Sequence, residues 1–227
     1  MVVQNFDEMS ELYAELRQRV GNEHIHYKFG NSENPTVMVI TYFPSHFNVF
    51  SELKPGIEPE RYEQICEVKH RKDMFHRFGL FKDYFRYLFL PSAIAPGTWG
   101  VPSDQWLDVA YETCACKTKE KKSEIPQIIE ERYLDILEAE IRIVDPQVVI
   151  CAGEVATNAT AKALLGGAAP TGDRITDRKY WDPSLYDTSP MMLPTVHWSA
   201  PKQNPNNTES FHESIAHARE RLEPLFV

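Results

Sequence analysis

The sequence predicts an α/β protein: a three-layer α/β/α sandwich with a central four-stranded parallel sheet. Apolar strand-like runs alternate along the chain with long helical patterns, which is how parallel strands joined by helical crossovers appear in sequence. The strand-like runs are almost continuously apolar, as strands buried on both faces are. No repeat or low-complexity tract interrupts the 227 residues, so residues 1–227 are expected to form a single domain.

The elements follow in order. Apolar residues recur at helical spacing in "FDEMSELYAELRQRV", which predicts an amphipathic helix from Phe6 to Val20. "TVMVITYF" (Thr36 to Phe43) is the first strand, entered from a loop of Gly, Asn, Ser and Pro. "PSHFNVFSELKPGIEP" is irregular, and the following segment to Leu90 is mostly helical with a break near Gly79. "SAIAPGTWGVPSDQ" is loop again. "WLDVAYETCAC" (Trp106 to Cys116) is the second strand. "IPQIIEERYLDILEAEIRIV" is a long helix that stops before Asp145-Pro146. "QVVICAG" (Gln147 to Gly153) is the third strand, with a helix starting directly at "EVATNATAKALL". A polar excursion from Gly166 to Met192 leads to the fourth strand, "LPTVHW", and a closing helix begins at Thr208.

Composition narrows the function. Hydrophobic residues make up 42% of the chain and aromatics 11%, enough for a packed core. No run approaches the roughly 20 apolar residues of a membrane span, and the acidic, amphipathic N-terminus does not resemble a signal peptide. A cytoplasmic, membrane-free protein is the expectation. The net charge of −9 argues against indiscriminate DNA coating, which needs a basic surface. "KHRK" (Lys69 to Lys72) and "KTKEKK" (Lys117 to Lys122) either form a local basic lip or are solvated faces. The cysteines Cys66, Cys114, Cys116 and Cys151 include no paired CxxC motif, so neither a metal site nor a disulfide is expected.

In open parallel sheets, ligands bind beyond the carboxyl ends of the strands. There the sequence places "FPSHFN", "ETCACK", "AGEVAT" and "HWSAPKQNPN". The last loop carries an unusual density of side-chain donors around His197 and Ser199.

These pieces resemble the uracil-DNA glycosylase superfamily, whose members share a four-stranded parallel sheet between helices and two short motifs framing a base pocket. "HWSAPKQNPNN" resembles the second motif, His-Pro-Ser-Pro, in His197, Ser199, Pro201, Asn204 and Pro205. "YLDILEAEIRIVDPQVVICAGEVAT" resembles the family's helix, "DP", strand and glycine-led helix, and "TYFPSH" (Thr41 to His46) falls at the first motif. The resemblance implies that His197 donates a hydrogen bond to the departing base, and that Ser199 holds a phosphate. It also implies that Lys202, Gln203 and Asn204 lie on the DNA-contacting loop. Tyr42, Phe43, Ser45, His46 and Asn48 would line the base pocket.

The chain departs from the pattern in three places. Phe43 stands where the family usually has a water-positioning Asp or Asn, so His46, Asn48 or Glu52 would have to take that role. Ser45 stands where a Tyr closes the pocket against a substituent on carbon 5 of uracil. Glu112 falls near the family's base-reading Asn. An ionised carboxylate only accepts, so it suits an exocyclic amine such as cytosine N4.

The resemblance therefore implies a monomeric DNA glycosylase without cofactor or metal, acting on a 5-substituted cytosine. Glucosylated hydroxymethylcytosine of phage DNA, in antiviral defence, is one such base. Uracil excision in base excision repair, and a non-catalytic protein that binds modified or damaged DNA, are the alternatives. A Ser/His hydrolase built on Ser199 is disfavoured by the spacing of the two residues and the absence of a Gly-x-Ser-x-Gly elbow. Basic and aromatic residues of the excursion (Arg174, Arg178, Lys179, Tyr180 and Trp181) are candidates to stack on or clamp nucleic acid.

Overall fold

A computed structural model describes residues 3–21, 29–30, 35–42, 88, 110–118, 120–121, 123–167, 169 and 174–226. Helix α1 (Val3–Val20) buries a stripe of Met9, Leu12, Tyr13, Leu16 and Val20, the spacing that an amphipathic helix requires. A short strand β1 (Phe29–Gly30) follows, then β2 (Val37–Thr41) and β3 (Ala110–Cys114). Helix α2 (Ile125–Ile128) runs through a π-helical turn (Ile129–Tyr133) into α3 (Leu134–Val144). Then come β4 (Val148–Ala152), α4 (Glu154–Leu165), β5 (Met191–Thr195), α5 (Ala200–Gln203) and α6 (Thr208–Leu222).

The sheet order is β1-β3-β2-β4-β5. The last four strands in that row are parallel, as the sequence predicts; β1 adds an antiparallel edge on β3 that the sequence does not reveal. Every residue of β2, β3 and β4 is buried, so both faces of the sheet are covered. Such strands need apolar side chains on both sides, which explains why "VMVIT" and "VVICA" show no alternation. Strand β5 is an edge and contains Pro194, a residue that edge strands tolerate because its missing N–H costs no ladder bond there.

Chain order and spatial order differ in a useful way. From β2 the chain moves to β3 on one side, then returns to β4 on the other side of β2. The carboxyl ends of β2 and β4 therefore flank the point where strand order reverses, the usual ligand crevice of open parallel sheets.

Helices α1, α3 and α4 share one face of the sheet. Tyr111 and Thr113 bond to Glu140 of α3, and Thr160 of α4 lies beside Cys151, whose row in the sheet includes Ile40 and Thr113. Helix α3 ends where the sequence predicts. Asp145 takes the left-handed conformation (φ 47°) and its N–H bonds to Ile141 O, while Pro146 cannot extend the helix.

The excursion from Gly166 to Met192 behaves differently from its composition. Tyr180 and Trp181 are buried, not displayed. The Trp181 indole donates to Ile175 O at 2.6 Å and the Tyr186 hydroxyl to Tyr180 O at 3.0 Å. Arg178 pairs with Glu213 on α6. Large aromatic surface gains more from burial against β5 and α6 than from exposure, so these rings are core and are not available to stack on nucleic acid. Among the described residues, no helix is long and apolar enough to cross a membrane.

Candidate functional site

Strand β5 ends at Thr195, and the chain is then held in a defined exit. Val196 N–H donates to Ser214 Oγ of α6 at 2.9 Å, and Ser214 in turn donates to Phe211 O at 3.0 Å. His197 O accepts from Ala200 N–H at 2.9 Å, which starts α5. This fixes the backbone on both sides of His197.

Three elements then converge on the His197 ring, which is 8% exposed. Trp198 stacks on it with centroids 3.9 Å apart and planes 30° apart. Tyr42, the residue after β2, meets it edge-on at 5.0 Å. Gly153, the residue after β4, lies beneath it: a Cβ on Gly153 would sit 3.0 Å from His197 Cβ. His197 thus reaches across from β5 to the ends of β4 and β2, into the crevice at the switch in strand order. Tyr42 and His197, separate in sequence, are brought together there.

The hydrogen bonds define the tautomer. Ser199 backbone N–H donates to His197 Nδ1 at 3.1 Å, and Ser199 Oγ lies 2.7 Å from the same nitrogen. A backbone N–H can only donate, so Nδ1 carries the lone pair. The neutral ring therefore holds its proton on Nε2, which makes Nε2–H a donor.

Ser199 Oγ also accepts from Gln203 Nε2 at 3.3 Å, so Ser199 and Gln203 form a line of support behind His197. Asn204 is occupied as a cap, its Oδ1 accepting from Asn206 N–H at 3.1 Å. The Ser–His contact has the length of a hydrolase dyad. The ring nitrogen in question already accepts the Ser199 N–H, so its lone pair is shared and is a poor base for the hydroxyl.

Gly153 is a precondition for this arrangement. Its φ of 97° is a conformation that essentially only glycine adopts without strain. Its N–H donates to Thr195 O at 2.8 Å, tying the ends of β4 and β5 together. Gly153→Ala is expected to cost about 1–3 kcal/mol in backbone strain and to displace His197. Thermal unfolding measures the first effect, and a crystal structure of the variant the second.

The second strand places Glu112 inside the sheet. The residue that ends β3 is Cys114, level with Thr41, and Thr41 Oγ1 lies 3.0 Å from Cys114 Sγ. Glu112 is buried two positions earlier, level with Val39. It shares with Cys114 the sheet face opposite Tyr111 and Thr113. Burial pushes the Cys114 thiol well up, and the Glu112 charge adds to this, so the two groups feel each other. Glu112 thus lies two residues short of the strand end near which the resemblance places it. Strand boundaries here are set by the ladder and the bend at Ala115, which the apolar run to Cys116 hides.

Phe43, Ser45, His46, Asn48 and Glu52 lie outside the described residues, as does the Lys202 side chain. So do Cys66 and the run from Lys69 to Lys72. Among the described residues, no group of three or more His, Cys, Asp or Glu side chains comes together as a metal site.

The run from Lys117 to Lys122 holds the largest surprise. Lys117 belongs neither to a basic lip nor to a solvated face: it is fully buried and paired with Glu140 at 2.5 Å. Glu140 also accepts from Tyr111 at 2.5 Å, Tyr13 at 2.7 Å and Thr113 at 3.1 Å. Lys117 donates to Thr113 Oγ1 at 2.6 Å. The cluster anchors the loop after β3, whose Cys116 N–H donates to Tyr42 O at 3.0 Å. Support for the site therefore runs from Glu140 through Lys117 and Cys116 to Tyr42. The signal missed in sequence is that Glu140 occupies a core position among Ile136, Leu137, Ile141 and Val144.

This cluster predicts pH dependence at both extremes. Burial alone would push the Glu140 carboxyl up, but the Lys117 charge and the hydrogen bonds from Lys117, Tyr111 and Tyr13 outweigh it and hold Glu140 below its ordinary value. Stability from Glu140 is then complete above the ordinary carboxylate value of about 4.3 and is lost as pH falls through the depressed folded value. Burial and the Glu140 charge push Tyr13 and Tyr111 well up. Their contribution is complete below about pH 10 and is lost as pH rises towards the folded values. Unfolding temperatures measured across pH should fall on both sides, and Tyr13→Phe should flatten the alkaline limb.

No protein-family model matches this chain, and no curated protein matches it.

Proposed function

We propose that the protein is a monomeric, cytoplasmic DNA glycosylase that flips a nucleobase into the crevice beside His197 and hydrolyses its N-glycosidic bond, leaving an abasic site. The observation that carries this reading is the His197 ring: a neutral imidazole with Nε2–H as donor, held at the strand-order switch by Ser199, Tyr42 and Trp198. Breaking an N-glycosidic bond leaves negative charge on the departing base. A preorganised donor in a water-poor site stabilises such charge without reorganising. The family resemblance in "HWSAPKQNPNN" assigns this histidine the same task.

Electrostatics support the partner. The chain carries a net charge of −9, yet residues 188–208, which include the His197 loop, contain no Asp or Glu. A phosphate backbone would meet its least repulsion there, and the amides of Gln203 and Asn206 offer neutral donors.

A 5-substituted cytosine is the proposed base. Ser45 would leave room at carbon 5, and the resemblance sets the Glu112 carboxylate near the base, where it would accept from an exocyclic amine. Glucosylated hydroxymethylcytosine of phage DNA is the form proposed, which would make the protein part of antiviral defence.

The test is excision from labelled oligonucleotides carrying uracil, cytosine, 5-hydroxymethylcytosine or its glucosylated form, followed by alkali to cut abasic sites. Cleavage of the modified cytosine alone is the expected result. Cleavage of uracil alone would keep the enzyme class and overturn the base. Retention of a duplex in a gel shift without cleavage would favour a binding protein, a reading that Phe43 keeps open by offering no water acceptor. Labelling of Ser199 by a fluorophosphonate would favour the hydrolase.

A further inference from the structure

We propose that Trp198 is a positioning residue: it locks the His197 ring so that Nδ1 stays on Ser199 and Nε2–H points at the substrate. The proposal rests on the reading of His197 as a donor, but its central measurement does not require activity.

An imidazole on a flexible loop has two ways to fail as a directed donor. It can rotate about its Cβ–Cγ bond, which swaps Nδ1 with a ring carbon, or it can move its proton to the other nitrogen. The Ser199 bonds to Nδ1 oppose both, but only while the ring plane holds its orientation. Gly153 limits the ring from below, and Tyr42 abuts it edge-on. Neither covers a ring face in parallel. Trp198 does, at 3.9 Å and 30°, and with 6% of its surface exposed it has little room to swing away.

The neighbouring sequence gives this contact meaning. The motif that "HWSAP" resembles carries a proline after the histidine. Proline constrains the backbone by fixing φ. Tryptophan leaves the backbone free and constrains the side chain instead, through an offset stack between two planar rings. Trp198 thus constrains the His197 ring through its side chain, where a proline would constrain only the backbone.

The test uses the full chain with 15N-labelled histidine and three proteins: unaltered, Trp198→Phe and Trp198→Met. Long-range 1H–15N spectra report which His197 nitrogen is protonated. The unaltered protein and the Phe variant should show a proton on Nε2 and an acceptor at Nδ1. The Met variant, closer in size to the Phe variant but without a ring, should show averaged nitrogens. A Met variant that keeps the unaltered signature overturns the proposal. Should that variant fail to fold, the unaltered protein still decides. Its His197 ring protons should lie upfield under the indole ring current, and ordinary shifts there would overturn the stack. On a cleaved oligonucleotide, the Met variant should lose about 10²-fold in kcat, the scale of a small misplacement, with KM unchanged and the Phe variant close to normal. Averaged nitrogens in the Met variant, together with no excision by any of the three proteins, would sink the glycosylase reading and leave the role of Trp198 standing.

Discussion

Lys117→Met is expected to destabilise the protein by about 3–5 kcal/mol, the usual cost of leaving one member of a buried ion pair without the other. That is a large share of the roughly 5–15 kcal/mol that holds a typical protein folded. Lys117 and Glu140 both have fully buried side chains, so the Glu140 carboxylate would lose its cation where no water replaces it. The Tyr13 and Tyr111 hydroxyls would still donate to it, which softens the loss but leaves the charge. The double variant Lys117→Met/Glu140→Gln should recover most of the stability. A glutamine oxygen still accepts from both tyrosines, and no net charge remains buried. Denaturant unfolding of the two single variants and the double variant measures the coupling directly. Additive losses would mean that the pair is not the unit described here.

His197→Ala is expected to lower excision by about 10²–10³-fold, the scale seen when one donor to a developing anion is removed. The fold should survive, because the loop is held by Val196 on Ser214 and by Ala200 on His197 O, and these bonds use no imidazole. Ser199→Ala should cost less, since the Ser199 N–H to Nδ1 remains and with it the tautomer. Single-turnover rates on the cleaved oligonucleotide check both. Equal losses for the two variants would point to the Ser199 hydroxyl as a participant in its own right.

Much of the architecture was legible in the residues themselves. "VMVIT" and "VVICA" read as strands buried on both faces, because near-continuous apolar runs of that length, rich in Val and Ile, suit such strands. Asp145-Pro146 had to stop a helix, and Gly153 had to sit where a strand turns into one. His197 stood out as a candidate site residue because so many polar groups surround it directly after an apolar run. Each of these is a local signal, carried by neighbours in the chain.

What escaped the sequence depends on contacts between distant segments. Glu140 and Lys117 are 23 positions apart, and each alone resembles a surface charge. Only the packing of α3 on β3 makes them a pair. Tyr180 and Trp181 look like a stacking platform until β5 and α6 bury them. The end of β3 lies at Cys114, not Cys116, because the ladder to β2 sets it and apolarity does not. By itself, then, the sequence determined the fold class, the order of the elements and the chemical identity of the His197 loop. Only the tertiary structure decided the company His197 keeps, because Tyr42 and Gly153 reach it from the ends of β2 and β4. The physical reason is that periodicity and turn chemistry are properties of a segment, whereas strand order, burial of a charge and the direction of a donor are properties of segments in contact.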